Sequence, residues 1–142
     1  MSYGGIDKQR QSGFVRINGK QVLQKKSGSR GFTLVRINSD CSVNNISTFD
    51  THARFPHTGN DRIKEYLGNL PNNTRIAGIT FDEFTLGLKN DAKSALNSVG
   101  LDLSTASYRS SLCFTFITGK PQDTKQSQAT AGNGPSMLSI KF

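Results

Sequence analysis

The stretch that most constrains this chain is residues 29–52, SRGFTLVRINSDCSVNNISTFDTH. After a basic turn, residues 32–37 are mostly β-branched or aromatic, a composition that is typical of a strand. Residues 38–40 are Asn-Ser-Asp, whose short side chains bond to nearby backbone groups and therefore favour a turn. A second extended run ends at FDTH, residues 49–52. The stretch therefore predicts a β-hairpin that closes on FDTH.

A second hairpin is predicted around Asn18-Gly19, because these residues tolerate the positive φ angles that a two-residue turn requires. Apolar-rich runs at residues 14–17 and 21–23 flank this turn. Residues 1–13 are polar, and we expect them to be flexible. Residues 24–29 are predicted to form a basic linker between the two hairpins.

The spacing of apolar residues predicts two helices. Residues 60–70 repeat apolar side chains at the i, i+3, i+4, i+7 spacing of one helical face, and Pro71 ends the pattern. Residues 90–99 show a second apolar face, with Asn90 as the candidate N-cap and Gly100 at the position that favours a left-handed residue.

Short apolar runs predict the remaining strands. Residues 75–81 and 112–117 are apolar between turn residues, which is typical of strands buried on both faces. The polar residues 119–135 are predicted to form a long loop. Residues 137–142 alternate apolar and polar side chains and predict a closing strand.

Composition places the chain among small globular domains. Its 142 residues suit one domain, and 34% hydrophobic residues with 14 glycines favour a largely extended, loop-rich fold. No apolar run approaches the roughly 18 residues that cross a bilayer, and we expect no membrane span. The opening MSYGGIDKQRQ has no hydrophobic signal core.

Positive charge is concentrated at the start of the chain. Residues 1–38 contain eight Lys or Arg and one acid, whereas the other 104 residues contain ten bases and nine acids. Such a basic edge attracts polyanions, and an anionic polysaccharide is a better candidate than nucleic acid. The alternative is a solvated strand edge whose lysines prevent edge-to-edge pairing.

Few residues in the sequence suit catalysis or metal binding. A proline-containing loop separates His52 from His57, so they do not form a helical metal pair. Asp82 and Glu83 are adjacent on a strand, point to opposite faces and have no nucleophile motif near them. We therefore expect no enzyme activity, no metal and no cofactor.

Cys41 and Cys113 admit two interpretations. A disulfide would close a loop of 72 residues, which chain entropy values at about 4 kcal/mol, and would imply an oxidising compartment. The alternative is two free thiols, with Cys113 as a small apolar residue of a buried strand. We expect the two residues to lie near each other. The possible disulfide and the two sequons, at residues 45–47 and 72–74, together favour a secreted, extracellular protein.

The sequence contains the motifs RGFTLVRIN, FDTH, GITFDE, SVG and YRSSLCFTFITGK. Together these motifs resemble the interleukin-like EMT inducer (ILEI) domain family. This family includes secreted cytokine-like proteins, accessory domains of hyaluronan-binding cell-surface proteins and of a glycosyltransferase acting on O-mannosyl glycans, and related domains in phage structural proteins. The resemblance implies an α+β fold with two antiparallel sheets, two main helices and no enzymatic activity. The chain departs from the family at Phe81, at Leu112 and in the insertion at residues 122–135.

The resemblance also implies a ligand site. In the family's sugar-binding members an Arg-Asp-Arg cluster lies at the strand ends, and the matching positions here are Arg30, Asp82 and Arg109. A carboxylate accepts bonds from two neighbouring hydroxyls, and a guanidinium donates a fixed pair of bonds, so together they orient a sugar. Tyr108 would offer an apolar face to the sugar ring. The alternative is a plain ion pair that braces two loops.

These observations predict a non-enzymatic, lectin-like domain that binds glycans. A cytokine-like or phage-structural module would present the same surface to a protein, and an oligomer is compatible with either function. A polyanion binder would instead use the basic first 38 residues.

Overall fold

The computed structural model describes residues 13–25, 30–52 and 58–141. These residues form seven strands and two α-helices, with a 3-10 turn at Pro121–Asp123. In chain order the elements are β1 (Gly13–Ile17), β2 (Lys20–Lys25), β3 (Gly31–Ile37), β4 (Val43–Phe49), α1 (Thr58–Gly68), β5 (Arg75–Phe81), α2 (Asn90–Ser98), β6 (Ser111–Ile117) and β7 (Lys125–Ala129).

The strands form two antiparallel sheets. β1 pairs with β2, and the other five strands are ordered β4-β3-β5-β6-β7. With the two helices, this is the predicted α+β fold with two antiparallel sheets. The residues 75–81 do form a strand, and β5 lies at the centre of the larger sheet as predicted.

The two helices cover one face of the five-stranded sheet. Phe32 and Leu34 of β3 and Phe114 of β6 are almost fully buried on this side. They belong to one apolar cluster with Ile63 of α1 and Leu96 of α2. Removal of this apolar surface from water is the main favourable term in folding.

The β1–β2 hairpin covers the opposite face. Val35 and Ile37 of β3 pack there in a second apolar cluster with Ala77 of β5 and Ile17 of β1. β3 and β5 are therefore buried on both faces. This explains why their sequences are nearly continuous in apolar residues.

Both predicted hairpin turns are confirmed. Asn18 and Gly19 have φ angles of 50° and 77° between β1 and β2, as a tight two-residue turn requires. Between β3 and β4, the backbone N–H of Asn38 donates to the carbonyl of Ser42 at 2.9 Å. The β3–β4 hairpin ends at Phe49, the first residue of FDTH.

Both predicted helices form, but the bounds of α1 and the cap of α2 differ from the prediction. α1 runs from Thr58 to Gly68, two residues earlier at each end than expected. Asn60 is buried, and its Oδ1 accepts the backbone N–H of Lys89 at 2.8 Å. Lys89, not Asn90, is the residue that precedes α2, so the prediction that Asn90 caps this helix was wrong. A side chain of α1 binds the N-terminus of α2 instead.

The chain after β6 also differs from the prediction. Residues 119–135 are not one loop, because β7 lies within them and pairs with β6. The sequence of β7, KQSQA, lacks the apolar alternation of a half-buried strand, and the pattern therefore missed it. Residues 137–141 are not a strand, although Leu138 and Ile140 are half-buried. Phe142 lies outside the described residues.

The predicted basic linker is shorter than expected. Gln24 and Lys25 belong to β2, and residues 26–29 lie outside the described residues. The prediction that residues 1–13 are flexible falls almost entirely outside them as well. Gly13 itself is the first residue of β1.

Candidate functional site

The ends of three neighbouring strands bring the predicted site residues to one edge of the large sheet. Gly31 of β3 pairs with Phe81 of β5, and β5 pairs antiparallel with β6. Arg30 directly precedes β3, Asp82 directly follows β5, and Arg109 lies two residues before β6. All three residues therefore lie at the same end of adjacent strands.

Arg30 is held by a histidine. Its Nη1 lies 3.3 Å from Nε2 of His52, the last residue of FDTH. The backbone N–H of His52 donates to Oδ1 of Asp50 at 3.1 Å, which fixes the turn that carries the imidazole. Nδ1 of His52 is buried and has no hydrogen-bond partner among the described residues. Sequence reasoning missed this role of His52.

Asp82 is half-buried and strained. Its φ angle is 55°, in the left-handed region that Asp tolerates better than most residues. Its Oδ1 is buried and finds no hydrogen-bond donor among the described residues. A buried carboxylate oxygen without a donor is costly, so a ligand hydroxyl that donates to it would remove that cost.

Arg109 and Tyr108 lie in the turn before β6. Arg109 also has a left-handed backbone, with φ of 58°. Its guanidinium carbon lies 5.2 Å from the centroid of the Tyr108 ring, a cation–π distance. Tyr108 is 52% exposed, and a ring of this exposure can contact a ligand from solvent.

Glu83 positions this edge, and sequence reasoning had considered it only as half of a hydrolase pair. It is 1% exposed. One carboxylate oxygen accepts bonds from the backbone N–H and the hydroxyl of Thr85 and from the N–H of Leu86. The other oxygen accepts the backbone N–H of Arg109. Glu83 thus joins the loop after β5 to the turn before β6.

The FDTH segment is bonded to the loop between β5 and α2. Oγ1 of Thr51 donates to the carbonyl of Phe84 at 2.8 Å, and the carbonyl of Thr51 accepts the N–H of Gly87 at 2.7 Å. Gly31, with φ of 100°, lies so close that a Cβ there would be 2.5 Å from the Thr51 backbone nitrogen. Thr51 of the FDTH segment therefore has a structural role.

No disulfide joins Cys41 and Cys113 in the structure, and both are free thiols, the second of the two interpretations. Cys113 pairs with Ile79, which pairs with Thr33 on β3, whereas Cys41 lies beyond Ile37 in the next turn. The four residues of strand from Thr33 to Ile37 span roughly 13 Å, so the expectation that Cys41 and Cys113 lie near each other was wrong. A disulfide tolerates about 7 Å between Cα atoms. Burial raises the pKa of the Cys113 thiol, which behaves as a small apolar residue.

The predicted basic surface is only partly free. Nζ of Lys25 donates to Oγ1 of Thr48 at 3.3 Å, and burial lowers the pKa of Lys25. Arg30 contacts His52, and Lys26 lies outside the described residues. Lys20 is exposed in the turn region of the hairpin. Lys25 and Arg30, two of the eight Lys or Arg of residues 1–38, are therefore engaged with protein groups.

The described residues contain no metal-binding cluster and no membrane-spanning helix. Across residues 13–25, 30–52 and 58–141, no group of three His, Cys, Asp or Glu side chains is arranged to hold a metal ion. His57 lies outside these ranges. No helix in the described part of the chain has the length and apolar character to cross a membrane.

Comparison with protein families gives one match. The model of the family described as interleukin-like EMT inducer matches residues 30–120, almost two thirds of the chain. The match begins at Arg30 and includes Asp82, Tyr108 and Arg109, but not the β1–β2 hairpin. No curated protein matches the chain significantly.

Proposed function

Because the chain belongs to the interleukin-like EMT inducer family, we propose that it is a non-enzymatic, lectin-like domain that binds glycans at Arg30, Asp82 and Arg109. The observation that carries this proposal is the buried Oδ1 of Asp82, which lacks a donor among the described residues. The site is an edge where three strands of one sheet end together.

The chemistry of this edge suits a neutral sugar. The Asp82 carboxylate accepts bonds from two neighbouring hydroxyls, and the two guanidinium groups donate to ring or hydroxyl oxygens. Tyr108 stacks against the apolar face of a pyranose ring.

The hydrogen bonds that Glu83 accepts support the proposed absence of catalysis. Glu83, the only carboxylate next to Asp82 in sequence, is fully occupied by four backbone and side-chain donors. It is therefore not available as a general acid or base. Extracellular localisation remains a prediction, and the free cysteines give it no support.

Two other functions use different surfaces or partners. A protein-binding module would use the exposed ring of Tyr108 as a contact residue. A polyanion binder would depend on the β1–β2 hairpin, where Arg16 and Lys20 are exposed. The engagement of Lys25 with Thr48 makes the polyanion function the weaker of the two.

A glycan array at low and high salt tests the proposal. Recognition of a neutral glycan survives salt, whereas polyanion binding falls steeply because bound counterions are released. Loss of all binding at high salt, or binding to heparin-like glycans alone, would contradict the proposal.

The variant Asp82→Asn tests the residue assignment. It keeps the shape of the side chain but removes the charge, and a hydrogen bond to a charged group contributes about 1.5–3 kcal/mol. We expect the affinity for the array ligand to fall at least roughly tenfold without loss of thermal stability. Asp123→Asn, at an exposed position outside the site, is the matched control. A lower melting temperature with unchanged affinity would make Asp82 a structural brace.

A further inference from the structure

A separate cleft lies between the β1–β2 hairpin and the sheet face opposite the helices. Its volume is about 620 Å³, within the range of roughly 300–1,000 Å³ that is usual for small-molecule sites. The proposed sugar site contributes none of the residues that line it. The cleft is therefore distinct from the proposed sugar site.

Part of the wall of this cleft is apolar. Ile79 and Cys113 form a deep part of its wall and are 1% and 3% exposed. Ile17 of the hairpin lies opposite, and Leu138 and Ile140 of the C-terminal segment close one side. Burial of apolar ligand surface against such a wall is favourable.

The charged residues of the cleft are all positive. Arg16 and Lys141 line it, both are exposed, and no acidic residue is among the described residues that line it. The Arg16 guanidinium carbon lies 4.9 Å from the Phe14 ring centroid, which keeps this cation beside the apolar wall. A ligand that fits both parts has an apolar body and one anionic end.

We infer that this cleft binds a free single-chain fatty acid in its carboxylate form. The alkyl chain lies against the apolar wall between the hairpin and the sheet, and the carboxylate lies near Arg16 and Lys141. The pairing of an apolar wall with cations at exposed positions supports this ligand over a neutral lipid.

Calorimetric titration of the full chain with laurate, dodecanol and dodecyltrimethylammonium tests the inference. We expect laurate to bind at one site, dodecanol at least tenfold more weakly, and the cationic amphiphile not at all. Affinity should rise roughly fourfold for each methylene added to shorter acids. Absence of laurate binding, or equal affinity for laurate and dodecanol, would overturn the inference.

A charge variant locates the carboxylate. Arg16→Gln with Lys141→Gln should weaken laurate binding at least tenfold and leave dodecanol binding unchanged. Lys93→Gln with Lys120→Gln removes the same charge from exposed positions outside the cleft and should change neither. Equal losses in the two double variants would show a general charge effect and overturn the assignment.

An apolar variant locates the alkyl chain. Leu138→Ser with Ile140→Ser changes half-buried residues that belong to no helix or strand, and it should weaken both laurate and dodecanol. Protection of Cys113 from a thiol reagent by laurate gives an independent readout in the unaltered chain. The inference fails if laurate leaves the rate of Cys113 modification unchanged while phosphatidylserine vesicles retain the protein through Arg16 and Lys141. That result would show that the two cations bind a membrane surface.

Discussion

The backbone N–H of Arg109 donates to the buried carboxylate of Glu83, 26 residues earlier in the chain. The same carboxylate binds the loop at Thr85 and Leu86. A single side chain therefore sets where Arg109 and Tyr108 lie relative to the end of β5.

The variant Glu83→Gln tests this role. Its amide group would place a donor against one of the N–H groups that now donate to Glu83, which leaves a buried donor unsatisfied. We expect the free energy of unfolding to fall by about 1–3 kcal/mol, measured by urea denaturation. Glu65→Gln, on the exposed side of α1, should leave stability unchanged. Equal stability of Glu83→Gln and the wild type would contradict this role.

The variant Gly31→Ala tests the packing of FDTH against β3. Its φ of 100° disfavours a side chain, and a new Cβ would lie 2.7 Å from Oγ1 of Thr51. Strain and overpacking together should lower stability by at least about 2 kcal/mol. The control is Gly19→Ala, which has a φ of 77° but no heavy atom within 4 Å of the new Cβ. A loss at Gly31 no larger than that at Gly19 would show that Thr51 moves away without cost.

The pair Lys64–Asp91 predicts a pH dependence. The pKa of Asp91 is lowered to about 2, mainly by its hydrogen bond of 2.8 Å to Lys64. Hydrogen bonds from the Asn60 side chain and the Ala92 backbone N–H make smaller contributions. Because this value lies below that of the unfolded chain, the pair stabilises the fold at neutral pH. That contribution is lost as the pH falls from about 4 towards about 2.

Melting temperatures of the wild type and Asp91→Asn measure this effect. The variant should melt lower at about pH 6, and the difference should shrink towards about pH 2. It should also shrink with salt, since both side chains are almost half exposed. A difference that stays constant across this pH range would assign it to packing instead of charge.

The two free thiols predict a specific labelling pattern. Under non-reducing denaturing conditions, both Cys41 and Cys113 should be alkylated, as mass spectrometry of the peptides would show. In the native protein Cys41 should react faster, because Cys113 is buried and its raised pKa keeps the thiolate scarce. Recovery of a disulfide-linked peptide would contradict the structure.

Local patterns were sufficient for most of the fold. The Asn18-Gly19 turn, the doubly buried strand at residues 75–81 and the left-handed Gly100 follow from properties of the residues themselves. A strand without apolar alternation, such as β7, offers no such signal. β7 forms because it pairs with β6. Its Gln126 side chain also donates to the backbone carbonyl of Asp102 in another loop.

The sequence by itself determined where most strands lie, and its resemblance to a family, not the strand pattern, singled out Arg30, Asp82 and Arg109. Only the tertiary structure decided how the edge that carries them is built. Glu83 receives donors from two loops, and His52 reaches Arg30 across 22 residues. It also decided that Cys41 and Cys113 stay apart. Hydrogen bonds and distances between distant residues depend on strand order and register, and no spacing along one chain encodes them.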